Sequence, residues 1–312
     1  MLEKTIQETN SLFEQPWWLD AVAPGCWGEA TVEKEGRIVG RMPYVLRNRF
    51  GMTMLSMPPL TPFLGPWIEK KETGYTKSLA WQKDVFGALI DSLPSFSSFN
   101  YLCHYDMVNW LPFYWKGYKQ STLYTYVLQD LNDMQKLWSG MLGNIRTDIG
   151  KAEKKLSVRS DIGLDVFFDV LEKTFLRQGL RLPFPRDLVR RIDEACGDNH
   201  RRIFFAQDER GRVHAVLFIV WDERSAYGLL NGGDPDLRNS GANSLLWWEA
   251  IKFASTVTHR FDFEGSMVES IERFFRAFGA VQTPYFALSK STPGMTLLRS
   301  LRSGAKFFLR RR

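Results

Sequence analysis

The chain has 312 residues, which at roughly 150 per domain is enough for about two domains that each bury a core of their own. Its composition, 44% apolar, 24% charged and 14% aromatic, excludes wholesale disorder, collagen and coiled coil. There are 41 basic against 35 acidic residues, a net charge of +6, yet six cations (Arg299, Arg302, Lys306, Arg310, Arg311, Arg312) and no acid fall within the last fourteen residues. A neutral body with a basic appendage disfavours a protein whose whole surface binds nucleic acid. Cys26, Cys103 and Cys196 form no C-x-x-C pair, and His104, His200, His214 and His259 form no H-E-x-x-H, so neither a metal site nor a disulfide is expected.

In chain order, the start from Met1 to Asn10 lacks the apolar core of a secretory signal. The apolar run from Met57 to Ile68 is broken by four prolines, and the closest to an uninterrupted one, Val213 to Trp221, is strand-length, so no membrane span is expected. The polar, mostly basic stretch from Leu142 to Lys155 places Ile145, Ile149 and Ala152 on one helical stripe. It reads either as a solvated helix face or as Arg146, Lys151, Lys154 and Lys155 facing an anionic ligand. Helices are expected over Leu164 to Gln178 and near Leu188 to Ala195, separated by Leu182-Pro-Phe-Pro185. Strands follow at Ile203 to Gln207, Val213 to Trp221 and Ala226 to Leu230, with turns at Asp208 to Gly211 and at Asp222 to Ser225. The pattern continues as a helix from Asn243 to Val257, a strand from Arg260 to Glu264, a helix from Val268 to Phe278 and a strand from Tyr285 to Leu288. From Met295 onward, Leu297, Leu298, Leu301, Phe307 and Phe308 alternate with cations, which suits a membrane-surface helix, a frayed terminus or a contact to an anionic substrate.

Residues 203–290 are expected in the order β-β-β-α-β-α-β, and internal similarity points to an earlier copy. An offset of 162 residues matches Phe99-Asn-Tyr101 to Phe261-Asp-Phe263, Phe113 to Phe275, Gly117 to Gly279 and Gln120 to Gln282. The same offset lays Ala80, Phe86, Ala88 and Leu89 on Ala242, Trp248, Ala250 and Ile251, while the upstream hairpins correspond at an offset of 175. The expected organisation is α/β with two similar domains, residues 1–130 and 131–290, and a basic amphipathic tail over 291–312.

Two places in the second copy can carry chemistry. The loop from Gly232 to Asn243 feeds a helix, and its small residues let backbone N–H groups point at an anion, with Arg238 adding a charge-assisted bond. Alternation along Arg260 to Glu264 puts Asp262 and Glu264 on one strand face, where mutual repulsion and poor hydration can raise one carboxyl towards neutrality and make a general base. An ion pair with Arg260, Arg273 or Arg276 is the plainer alternative. Glu264, at the carboxyl end of its strand, is the better base candidate and Asp262 the more structural of the two. Ser266 and Glu269 read as a capping box rather than as a nucleophile site.

The strand and helix order, with a phosphate-type loop entering the central helix, resembles the GCN5-related N-acetyltransferase (GNAT) fold. Two tandem copies with the basic segment Asn144 to Lys155 between them resemble the FemAB-like and BioF2-like acyltransferases over nearly the whole chain. Phe13-Glu-Gln-Pro-Trp-Trp18, Phe261-Asp-Phe-Glu-Gly-Ser266 and Arg273-Phe-Phe-Arg-Ala-Phe-Gly279 are similar to that family's signature stretches. The resemblance implies that Arg238, Ser240, Gly241, Ala242 and Asn243 hold the diphosphate of acyl-CoA, with Asn243 where the family has a small residue. It implies direct attack of an amine on the donor carbonyl, with Glu264 taking the proton and a backbone N–H of the strand from Tyr227 to Leu230 polarising the carbonyl. Phe275 stands where many relatives have an acid, a loss that a thioester donor tolerates because a thiol of pKa about 8.5 leaves unaided. The acceptor implied is an amine of a cell-envelope sugar or peptide precursor, small or lipid-linked. The expected location is the cytoplasm, with the basic tail a candidate contact to the inner face of an anionic membrane. An aminoacyl-tRNA donor is the second reading, disfavoured by the neutral body, and a non-catalytic binding relative is the third.

Overall fold

The computed structural model describes residues 7–49, 51–265 and 267–295. In chain order the first elements are α1 (Pro16–Val22), β1 (Trp27–Lys34), β2 (Arg37–Arg49), β3 (Met52–Ser56), β4 (Trp67–Ile68), α2 (Tyr75–Asp91), β5 (Ser98–Leu102) and α3 (Leu111–Trp115). Next come β6 (Lys119–Leu128), α4 (Met134–Gly140), α5 (Gly143–Ala152), β7 (Leu156–Arg159), α6 (Leu164–Arg177) and α7 (Arg186–His200). The last are β8 (Arg201–Asp208), β9 (Val213–Trp221), β10 (Ser225–Gly233), α8 (Ala242–Ala254), β11 (Arg260–Asp262), α9 (Glu269–Arg276) and β12 (Val281–Ser291).

The chain divides into two compact units, one formed by residues up to 123 together with those from 285, the other by 124–284. In the first, β1, β2 and β3 form an antiparallel meander, β3 pairs parallel with β5, and Tyr285–Ser291 of β12 runs antiparallel to β5, with Leu288 opposite Tyr101. In the second, β7 to β10 are antiparallel, β10 pairs parallel with β11, and β11 lies antiparallel to β6, with Asp262 opposite Val127. The two units therefore repeat one topology, a meander, a helical crossover to a parallel strand, and a final antiparallel strand. This is the tandem GNAT-like arrangement expected from the duplicated sequence. Each unit takes that final strand from the other sequence copy, so the units do not coincide with 1–130 and 131–290: residues 285–290 pair in the first.

The core of the second unit explains its helix stripes. Leu245, Leu246, Trp247, Ala250, Ile251 and Ala254 of α8 are buried together with Ile145, Ile149 and Ala152 of α5. Phe261, Phe263, Phe275 and Phe278 complete the cluster, with Trp247 and Phe263 rings 5.0 Å apart. At about 25 cal/mol per Å2 of apolar area removed from water, large rings of this kind dominate the stability of the unit.

Candidate functional site

The end of β10 and the start of α8 enclose a polar cavity of about 530 Å3. Arg238, Ser240, Gly241, Ala242 and Asn243, the residues expected from sequence, all line it. Gly241 caps α8 at φ 76°, in the left-handed region, and a Cβ there would run into the Asp148 carbonyl of α5. Glycine is thus required both by the turn and by the close approach of α5. Arg238 is exposed at the rim and forms no ion pair among the described residues. The first N–H groups of a 13-residue helix and one unpaired guanidinium suit an anionic group.

Sequence reasoning missed the far wall of this cavity. Thr174 and Arg177 come from α6, and His214 from β9. The Thr174 hydroxyl accepts from the Gly233 N–H at 2.8 Å and stands 3.0 Å from the Gly233 carbonyl, which locks the end of β10 to α6. The His214 ring Nε2 lies 3.2 Å from Asp208 Oδ2, while its Nδ1 is buried without a hydrogen-bond partner. Burial pushes the Asp234 carboxyl up, but the Lys173 ammonium at 2.6 Å and the Asp236 N–H outweigh it and hold Asp234 below its ordinary value. A periodicity search sees these residues only as parts of a helix face and a strand.

The second predicted place differs from expectation in its backbone. Strand β11 ends at Asp262, and Glu264 adopts φ 58°, so the two carboxylates do not share a strand face. They are joined by a turn: Asp262 Oδ1 accepts the Glu264 N–H at 2.8 Å and the hydroxyl hydrogen of Thr125 from β6. Gly265 follows at φ 54°, and a Cβ there would strike Thr125 Cα and the Tyr124 carbonyl. A tight pass over β6 therefore turns Glu264 out of the sheet.

Asp262 is fully buried, and its Oδ2 and Glu264 Oε1 are both shielded from solvent without hydrogen-bond partners among the described residues. Burial raises the Asp262 carboxyl to about 7, against the lowering effects of the Thr125 hydroxyl, the Glu264 N–H and the Arg260 charge. Burial and then the neighbouring Asp262 charge push Glu264 well above the usual carboxylate range. Neither carboxylate pairs with Arg273 or Arg276; Arg276 bonds Glu272 instead, at 2.8 Å.

Tyr227 is buried in β10, opposite Val220 on one side and Asp262 on the other. Its backbone is therefore within the ladder, and the irregularity falls two residues later, where the register with β9 shifts between Gly228 and Leu230 and skips Leu229. A bulged residue is left out of the ladder, so Leu229 interrupts the pairing that Tyr227 still keeps. The pairing of β10 with β11 also ends at Tyr227 and Asp262, so beyond this level the two parallel strands are no longer paired to each other. Phe275 lies in the aromatic cluster, 5.4 Å from Trp247 and 5.1 Å from Phe263, and supplies no acid.

The basic segment forms α5, with Ile145, Ile149 and Ala152 buried as the stripe predicts. Arg146 donates to the Trp138 and Ser139 carbonyls at the end of α4 and so serves as a cap for that helix. Lys151, Lys154 and Lys155 are exposed. Ser266 and the tail from residue 296 lie outside the described residues, as do the expectations placed on them. Among the described residues no cluster suited to a metal ion occurs, and no helix is long and apolar enough to cross a membrane.

Residues 142–276 match the model of the acetyltransferase (GNAT) domain. That stretch of the chain is therefore a GNAT-type domain. Its fold is similar to that of FemX, with a TM-score of 0.65 at 12% identity over 88% of this chain and 91% of that one. The C-terminal domain of a putative lysylphosphatidylglycerol synthetase from Agrobacterium fabrum gives a TM-score of 0.53 at 14% identity, covering 87% of each chain. A tandem GNAT protein from the clavulanic acid biosynthesis pathway gives 0.51 at 11% identity, covering 87% of this chain and 85% of that one. At these identities the likeness is one of fold. No curated protein matches the chain by sequence.

Proposed function

We propose that this chain moves an acyl group from acyl-CoA to an amine of a cell-envelope sugar or peptide precursor, at the cytoplasmic face of the membrane. The observation that carries the donor assignment is the cavity at the start of α8, where Gly241 has no room for a side chain and Arg238 has no ion-pair partner among the described residues. Arg238, the α8 N–H groups and Ser240 would hold the phosphates, and the donor supplies an activated thioester. In the transfer, the amine nitrogen bonds the acyl carbon, the carbon–sulfur bond breaks, and the departing thiolate needs no acid. Glu264 takes the proton from the amine, and the Leu229 N–H polarises the acyl oxygen. Asp262 orients Glu264 through the turn it accepts from.

The test is a thermal shift on the whole chain with acetyl-CoA and, separately, with aminoacyl-tRNA. A ligand at about 100 times its Kd adds about 2.7 kcal/mol, so acetyl-CoA is expected to raise the Tm by several degrees while aminoacyl-tRNA does not. The reverse pattern would move the donor to aminoacyl-tRNA, and silence with both would make the chain a binding relative. Glu264→Gln is expected to keep the acetyl-CoA shift and to slow transfer by about 10²- to 10⁴-fold.

A further inference from the structure

A group of exposed large apolar side chains lies in the first unit, outside residues 142–276. Val108 is 78% exposed, Leu111 48%, Tyr114 59% and Trp115 58%. Soluble surfaces scatter such residues singly, and a contiguous set marks a docking surface. Leu111, Tyr114 and Trp115 stand at i, i+3 and i+4 on α3 and so share a face.

The segment is held rigidly in this presentation. Phe113 is buried, its ring 6.0 Å from Phe86 and 5.3 Å from Tyr118, which fixes the inner side of α3 and turns the other side out. Asn109 accepts the Leu111 N–H at 3.2 Å and donates to Gln82 of α2 at 3.0 Å. The Trp110 and Tyr114 rings meet edge to face at 5.5 Å. Cations flank the exposed face. Lys119 is exposed, Lys290 donates to the Lys116 carbonyl at 2.7 Å, and Lys116 pairs with Asp91 at 2.6 Å. Lys116, Lys119 and Lys290 thus stand in or against this segment, with Asp91 and Asp106 as the carboxylates nearest to it.

We propose that α3 and Val108 form a docking surface for an anionic phospholipid bilayer. Indole and phenol rings are the side chains that settle at the headgroup boundary, with an apolar body towards the acyl chains and a polar edge in water. Leu111 and Val108 supply short aliphatic insertion, and the lysines supply attraction to anionic headgroups, the second signal that stable peripheral binding needs. A protein partner could also use aromatics, but the excess of positive charge beside them favours the anionic lipid surface. This surface belongs to the described residues and does not depend on the basic tail or on the role given to Glu264.

The full chain is to be co-sedimented with vesicles of mixed phosphatidylglycerol and phosphatidylcholine and with vesicles of phosphatidylcholine alone. Binding to the mixed vesicles only, weakened by salt, is expected. The triple variant L111S, Y114S, W115S is expected to lose it by about tenfold or more. Failure of the parent chain to bind, or equal binding by the triple variant, overturns the proposal; the latter would assign attachment to another part, such as residues 296–312. Trp115→Phe keeps bulk and guards against a folding artefact. With brominated phosphatidylglycerol, quenching of tryptophan emission is expected to fall in this variant, and unchanged quenching also overturns the proposal.

Discussion

Thr125 shows how a single hydroxyl can set the electrostatics of a pair of carboxylates. Its O–H favours the charged form of Asp262, whose carboxylate in turn fixes the Glu264 backbone. Thr125→Val removes that donor, so the midpoint of Asp262 is expected to rise above about 7, read from carboxyl carbon shifts in an NMR titration, while Thr125→Ser retains the parent value. The same raised pKa carries a stability consequence. The folded state holds the Asp262 proton more tightly than the unfolded chain, so this stabilisation is complete below about pH 4 and is lost as pH rises towards 7. Urea unfolding between these limits is expected to show the decline, on the order of a few kcal/mol, and Asp262→Asn to flatten it. An amide oxygen there still accepts both bonds.

The meeting of α5 with α8 is where the sequence is most demanding. Gly241→Ala places a Cβ at positive φ against the Asp148 carbonyl. It is expected to cost about 1–3 kcal/mol, seen as a lower Tm, and to weaken the acetyl-CoA shift besides. This loop, with its glycines and its arginine, was legible from residue types alone, because small residues before a periodic apolar run have few structural readings. So were the strands β8 to β10 and the buried stripe of α5. Glu264 was legible as a residue but not in its geometry. Strand alternation places it beside Asp262, whereas the pass of Gly265 over Thr125, set by a strand more than a hundred residues earlier, ends β11 two residues sooner. The role of Arg146 was hidden for a similar reason, since only tertiary structure brings the end of α4 within its reach. His214 carried no signal at all, being one polar residue in an apolar strand.

Across the whole chain, the repeated topology is closed by exchanged final strands. Residues 124–284 contain every strand of the second unit, including Tyr124–Leu128 of β6. That fragment is expected to fold alone and unfold in one cooperative step, followed by circular dichroism. A fragment ending at residue 123 lacks Tyr285–Ser291 and leaves β5 without its antiparallel neighbour, so it is expected to stay unfolded or aggregate. The exchange also has a temporal side. On the ribosome, β5 emerges about 190 residues before the strand that completes it, a wait of roughly ten to forty seconds at about 5–20 residues per second. During synthesis the earlier half must therefore be sheltered with an open edge until the later half is nearly finished, which makes the nascent polypeptide a natural client for a holding chaperone.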